Sequence, residues 1–210
     1  MRGVVVITGV MAAGKSTVAQ TLAERLPRAA HVRGDVFRRM IVSGREEFIP
    51  GAEAGGAAEA QLRLRYRLSA ATADAYAEAG FTAVVQDVLL GPDLAAYVEL
   101  VRTRPLYVVV LAPSAETVAV REAGRAKTGY GPAGESATQR AANRAANGGA
   151  NRASTPAGRP EAGESWSIEA LDEVLRASTP RIGLWLDTST LTAAETVDAI
   201  VAGRERARVV

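Results

Sequence analysis

Short apolar runs and helically spaced apolar positions alternate along the chain. Val4-Val5-Val6-Ile7 is a β-branched run bounded by glycine, the pattern of a parallel strand buried on both faces. After Gly14 the spacing turns helical, with Val18, Leu22 and Leu26 at i, i+4 and i+8, and Pro27 closes the segment. Ala29 to Arg33 predicts a second strand, and a short helix follows from Val36 to Val42, ending near Gly44. Gly44 to Gly56 reads as loop. Alanine, leucine and arginine then sustain a long helix from Ala57 to Ala79, which Gly80 ends before a strand from Phe81 to Gln86.

The same rhythm continues with a helix over Asp93 to Arg102, a strand over Leu106 to Leu111 and a helix from Ser114, an N-cap residue type, to Lys127. Near the C-terminus, Trp166 to Ala177 predicts helix, Ile182 to Leu186 the last strand and Thr192 to Arg206 the last helix. Five strands alternating with helices imply an α/β fold with a parallel, doubly wound sheet. Residues 128–165 break the rhythm. They are rich in Gly, Ala, Asn and Arg, nearly repeat Arg-Ala-Ala-Asn, and hold almost no large apolar side chains. Such a stretch cannot offset its own ordering entropy, and it reads as a flexible insertion in a single domain spanning 1–210.

Composition narrows the function classes. A formal net charge of +2 gives no support to nucleic-acid binding. The absence of cysteine removes disulfides, thiolate catalysis and zinc-thiolate sites, and it agrees with a reducing cytoplasmic setting. No run approaches a membrane span or a signal peptide, so no membrane partner is expected. Lysine occurs only at Lys15 and Lys127 among 25 cationic residues, which singles out Lys15.

Lys15 lies in Gly9-Val10-Met11-Ala12-Ala13-Gly14-Lys15-Ser16, which fits G-x-x-x-x-G-K-[ST] at every fixed position, between a predicted strand and a predicted helix. The glycines let backbone N–H groups of Gly9 to Ser16 and Thr17 curl round a β-phosphate, and the helix N-terminus adds favourable partial charge. Lys15 would span the β- and γ-phosphates and Ser16 would ligate Mg²⁺, so ATP and Mg²⁺ are the expected cofactors.

Two aspartates end predicted strands. Asp87 follows Ala83-Val84-Val85-Gln86, and ligands of such sheets bind outside the carboxyl ends of the strands. Asp87 is read either as a Mg²⁺-holding carboxylate or as a capping or turn residue before Gly91-Pro92. Asp35 closes the second strand and precedes Arg38 and Arg39 at i+3 and i+4, which would share an acceptor-binding face. It is read as the base for an acceptor hydroxyl, with a helix N-cap as the competing role. Arg121 and Arg125, one helical turn apart, are lid candidates, one to stack on adenine and the other to neutralise the transferring phosphate, or else a solvated helix end. His31 falls within a predicted strand and reads as a packing residue.

Together, Gly-x4-Gly-Lys-Ser, Gly34-Asp35-Val36-Phe37-Arg38, strand-ending Asp87, Arg121-x3-Arg125 and Leu186-Asp187-Thr188-Ser189 resemble the adenylate-kinase-like P-loop kinases. Within them the chain looks closest to chloramphenicol phosphotransferase-like and zeta-toxin-like small-molecule kinases. The resemblance implies a three-layer P-loop fold with a five-stranded parallel sheet and a phosphotransferase acting on a hydroxyl compound, an antibiotic-like one by analogy. By position it makes Asp35 the base, Arg121 and Arg125 lid residues, and Thr188 a neighbour of adenine. The adjacent acid common in relatives is Gln86 here, and the long insertion departs from their compact lid. A GTPase is disfavoured because no Asn-Lys-x-Asp occurs. A nucleotide or sugar-nucleotide kinase stays open, with Arg38, Arg39, Arg63, Arg65 and Arg67 to clamp a monophosphate, as does a non-catalytic ATP-binding protein.

Overall fold

A computed structural model of the protein describes residues 1–46, 56–127 and 168–209, side chains of 125–127 excepted. The predicted insertion at 128–165 and Trp166 lie outside the described residues. In chain order the elements are β1 (Val4–Gly9), α1 (Lys15–Arg25), β2 (Ala29–Arg33), α2 (Gly34–Arg39), α3 (Ala57–Glu78), β3 (Thr82–Gln86), α4 (Pro92–Leu100), β4 (Leu106–Leu111), α5 (Ala115–Lys127), α6 (Ile168–Glu173), β5 (Leu184–Leu186), α7 (Ala193–Ala202), α8 (Arg204–Ala207) and β6 (Arg208–Val209).

The sheet runs β2-β3-β1-β4-β5 with every one of these pairs parallel. Each residue of β1 and β3 is buried, which is why β1 is an unbroken β-branched run with no polar alternation. Helices cover both faces, giving three layers: α1 packs on α7, and α3 on α4. Val4 to Ile7, Leu22, Leu94, Tyr97 and Leu111 are fully or almost fully excluded from solvent. No helix among the described residues is long and apolar enough to cross a membrane.

β1 lies between β3 and β4, so the connection after it opens at the crevice where strand order reverses. This is the feature of the fold that positions the site.

Three expectations are refined. A sixth strand, β6, pairs antiparallel with β4 beside Leu106 and Tyr107, so the sheet is parallel apart from this two-residue edge. The last predicted helix is split at Gly203, where a Cβ would stand 2.7 Å from Leu184 Cδ2 and 3.0 Å from the Ala199 carbonyl oxygen. The helix expected to end at Ala177 changes pitch, passing from α6 into a π turn over Val174–Ser178. There Thr179 Oγ1 bonds the Val174 carbonyl and accepts from Gly91 N, tying this turn to the start of α4.

Candidate active site

Residues between β1 and α1 form a tight loop with positive φ at Gly9 (147°), Ala12 (56°) and Gly14 (93°). A side chain at position 9 would place its Cβ 2.4 Å from the Leu111 carbonyl oxygen, so strand β4 requires glycine there. No side chain caps α1, whose N-cap is the left-handed Gly14. Its first turn therefore presents backbone N–H groups and the positive end of the helix dipole toward the crevice. Lys15 folds back across the loop, donating from Nζ to the carbonyls of Gly9 at 3.0 Å and Val10 at 2.7 Å. A cationic donor thus already crosses the concavity that the N–H groups surround.

The next residue joins the loop to β3. Ser16 Oγ donates to Gln86 Oε1 at 3.0 Å, and Gln86 is 5% exposed. Asp87, one residue on, is buried and does not cap α4, whose N-cap is Gly91. Arg65 of α3 grips its carboxylate with two bonds, Nε to Oδ2 at 2.9 Å and an Nη to Oδ1, and Val88 N donates to Oδ1 at 2.7 Å. Burial lowers the pKa of Arg65. The start of α2 lies flat on this pair: a Cβ at Gly34 would sit 1.8 Å from Asp87 Oδ2.

Asp35 lies in the first turn of α2 and not at its N-cap, which is Arg33 and makes no side-chain capping bond. Arg39 donates to Asp35 Oδ2 at 2.6 Å, and Arg33 Nε stands 3.8 Å from Oδ1. Arg38 shares the helix with Arg39. His31, in β2, meets Gln20 Oε1 through Nδ1 at 2.9 Å, while its Nε2 is buried without a partner. Burial, reinforced by the Arg33 cation and opposed by Asp35, holds its pKa below the usual histidine value. The His31 environment is that of a packed side chain.

On the other side of the loop, Arg121 of α5 reaches the Ala13 carbonyl at 3.4 Å and the Thr188 carbonyl at 2.8 Å, bridging the phosphate loop to the segment after β5. Thr188 is 2% exposed and its hydroxyl has no hydrogen-bond partner. Asp187 accepts from Ser189 N and Oγ, and these bonds hold its carboxyl below the usual carboxylate range. Ser189 Oγ in turn accepts from Ser114 N at 2.8 Å, and Ser114 Oγ caps Thr117 N. The Arg125 side chain lies outside the described residues.

The fold thus gathers Gly9 to Thr17, Gln86, Asp87, Arg121 and Thr188 around the mouth of β1, with Asp35, Arg38 and Arg39 after the end of β2, on the far side of β3. Sequence reasoning missed the Arg65–Asp87 grip. The pair is 22 residues apart and carries no local signal. Among the described residues no three His, Cys, Asp or Glu side chains converge on a cation position. The oxygens of Ser16 and Gln86 instead fit Mg²⁺, which keeps most of its water and takes phosphate oxygens in preference to a protein cage.

Residues 4–154 match a family model described as an AAA domain (AAA_33). No curated protein sequence matches the chain. Among solved structures, the fold is similar to the Mycobacterium tuberculosis APS kinase CysC in complex with AMPPNP and APS, at 16% identity and a TM-score of 0.57, covering 97% of this chain and 98% of that one. It is also similar to a sugar kinase from Janibacter sp. HTCC2649, at 16% identity and a TM-score of 0.55, covering 99% and 96%. A gluconokinase from Sinorhizobium meliloti 1021 superposes at 17% identity and a TM-score of 0.52, covering 98% and 94%.

Proposed function

Because the chain belongs to the AAA_33 family of AAA domains and has the fold of the P-loop kinases, we propose that it transfers the γ-phosphoryl group of ATP to a hydroxyl of a small molecule. The observation that carries this reading is the placement of two groups beyond the carboxyl ends of parallel strands of one sheet: a complete phosphate loop after β1, and a carboxylate, Asp35, just after β2, with β3 between the two strands. A protein that only sensed nucleotide would need the first and not the second.

Phosphoryl transfer asks mainly for positioning and charge neutralisation. Backbone N–H groups of Val10 to Ser16 would cradle the β-phosphate, and Lys15 would exchange its two carbonyl partners for phosphate oxygens. Ser16 would ligate Mg²⁺ directly, with Gln86 and Asp87 reaching it through water, and the ion would supply charge neutralisation on the phosphates. Arg121, with Thr188, would border the adenine, and Arg125 would neutralise the transferring group. Asp35 would take the proton of the acceptor hydroxyl as its oxygen bonds to the γ-phosphorus. The bond from that phosphorus to the β,γ-bridging oxygen breaks, and its electron pair leaves with ADP.

The pairing of the arginines favours a neutral acceptor over a nucleotide monophosphate. Arg65 is engaged by Asp87 in a buried pair, so a phosphate clamp that recruited Arg65 would have to dismantle it, whereas the Arg39–Asp35 and Arg63–Glu59 pairs are more exposed and yield at little cost. The test is transfer from γ-labelled ATP with Mg²⁺ to a panel of sugars, polyols, nucleosides, nucleotides and hydroxylated antibiotics. Labelled product that disappears in Asp35→Asn and Lys15→Ala supports the reading. No labelled product from any compound overturns it.

A further inference from the structure

The chain has three methionines and no cysteine, so the sulfur it offers to an oxidant is all thioether. Met1 is partly buried against the core, whereas Met11 is 46% exposed and Met40 64% exposed. Met11 stands inside the phosphate loop, next to the left-handed Ala12. Its loop neighbours Val10 and Ala13 are buried, so Met11 is a large apolar side chain that the loop turns toward solvent. The charge around it is one-sided. Lys15 Nζ donates at 2.7 Å to the carbonyl oxygen of Val10, whose carbonyl carbon is bonded to Met11 N, so an ammonium stands beside the residue. The first turn of α1, which no side chain caps, adds its backbone N–H groups to the same loop. No acid lies between Gly9 and Thr17. A thioether is a weak acceptor and makes little use of such donors.

We propose that Met11 is an oxidation site through which a peroxide closes the phosphate loop to nucleotide; this rests on the reading above for nucleotide binding at the loop and not for phosphoryl transfer. In the step, the thioether sulfur gives an electron pair to one oxygen of hydrogen peroxide. The S–O bond forms, the O–O bond breaks, and the departing oxygen leaves as water with both hydrogens, so the sulfur is oxidised and the peroxide reduced. The product replaces a flexible apolar side chain by a polar one. Its sulfoxide oxygen accepts from Lys15 or from the loop N–H groups, which are the donors that a phosphate oxygen needs. Sulfoxide and nucleotide therefore compete for one set of donors. Methionine sulfoxide reductases, which restore the thioether with electrons from thiols and release the oxygen as water, reopen the loop.

Treatment of the full chain with hydrogen peroxide tests this, with the oxygen gained at each methionine read by mass spectrometry of its peptides and Mg²⁺·ATP affinity read by calorimetry before and after. As Met11 gains its oxygen the dissociation constant should rise about tenfold, the size of one charged hydrogen bond diverted, and it should return after incubation with reductases for both sulfoxide epimers. Met40→Leu, outside the loop, should lose affinity on oxidation as the parent does. Met11→Leu should keep after peroxide whatever affinity it had before. Unchanged affinity with Met11 oxidised, an equal loss in Met11→Leu, or Met11 left intact while Met40 is oxidised overturns the inference and leaves the kinase standing. A loss that the reductases reverse, with no labelled product on the acceptor panel, does the opposite. An untreated chain that binds no Mg²⁺·ATP overturns both.

Discussion

Ser16 Oγ donates to Gln86 Oε1 across the crevice between the phosphate loop and the end of β3, at 3.0 Å. The bond joins residues 70 positions apart and orients the hydroxyl that the proposed function makes a Mg²⁺ ligand. A neutral amide in this place aligns the serine without adding a second negative charge beside the buried Asp87.

Gln86→Ala should therefore weaken the affinity for Mg²⁺ in nucleotide binding and leave the fold intact. Residues that orient a metal ligand change metal affinity about 10-fold or more when removed. Titration of ATP binding by calorimetry across a Mg²⁺ series would show the half-saturating Mg²⁺ concentration rising by about tenfold. Unchanged Mg²⁺ dependence would mean that the bond serves packing alone.

Gly34→Ala has a steric outcome that can be read from one distance. The new Cβ would lie 1.8 Å from Asp87 Oδ2, and the carboxylate cannot swing aside while Arg65 holds both its oxygens. The start of α2 must shift, at a cost of about 2–3 kcal/mol in urea unfolding. The same variant should lose more than half of its activity at full folding, because the shift carries Asp35 with it. Parent-like stability would show that α2 yields freely.

Much of this was legible before any coordinates. The β-branched run of β1, the glycines and the helical spacing of Val18 and Leu22 are local signals, and they fix strand, loop and helix together. Asp35 and Asp87 were locatable because they follow strand patterns. Their partners were not: Arg65 meets Asp87 only through the packing of α3 against β3, and the exposed-looking arginine pattern of α3 gives no hint of which arginine turns inward. β6 is two residues long and too short to carry a period. At Gly203, where the helix breaks, the Leu184 side chain leaves no room for a Cβ, a contact that sequence spacing does not reveal.

Arg65→Met should be more damaging than the paired change. The Arg65 and Asp87 side chains are 15% and 2% exposed, so removing the cation alone strands a buried carboxylate. Breaking such a pair typically costs about 3–5 kcal/mol, whereas removing both charges is far milder. Arg65→Met/Asp87→Asn should recover more than half of the loss in chemical denaturation. If the double variant is no more stable than the single one, the two residues act independently and the buried-pair account fails.

A further carboxylate governs stability in acid. Asp74 of α3 is 1% exposed and accepts from Arg102 N at 3.2 Å, Arg102 Nε at 3.4 Å and Thr103 N at 2.9 Å, tying the end of α4 to α3. Burial opposes its ionisation, but the bonds from Thr103 and Arg102 outweigh that and hold its pKa below the ordinary value of 3.8. The unfolded chain therefore binds a proton at Asp74 in the window between the two values, and stability falls with pH there. The contribution is fully present above the ordinary value and is lost as pH drops through the folded-state one. Asp187 and Glu195 are lowered in the same sense by their own hydrogen bonds, so acid unfolding of the parent alone would not isolate Asp74. The difference between the parent and Asp74→Asn does, because those two carboxylates are common to both. Asn should be about 2 kcal/mol less stable near pH 7, where charged hydrogen bonds are lost. That gap should narrow in urea titrations as pH drops below the ordinary value of 3.8 and through the folded-state one. A gap constant with pH would show that the Asp74 contribution comes from shape and not from its charge.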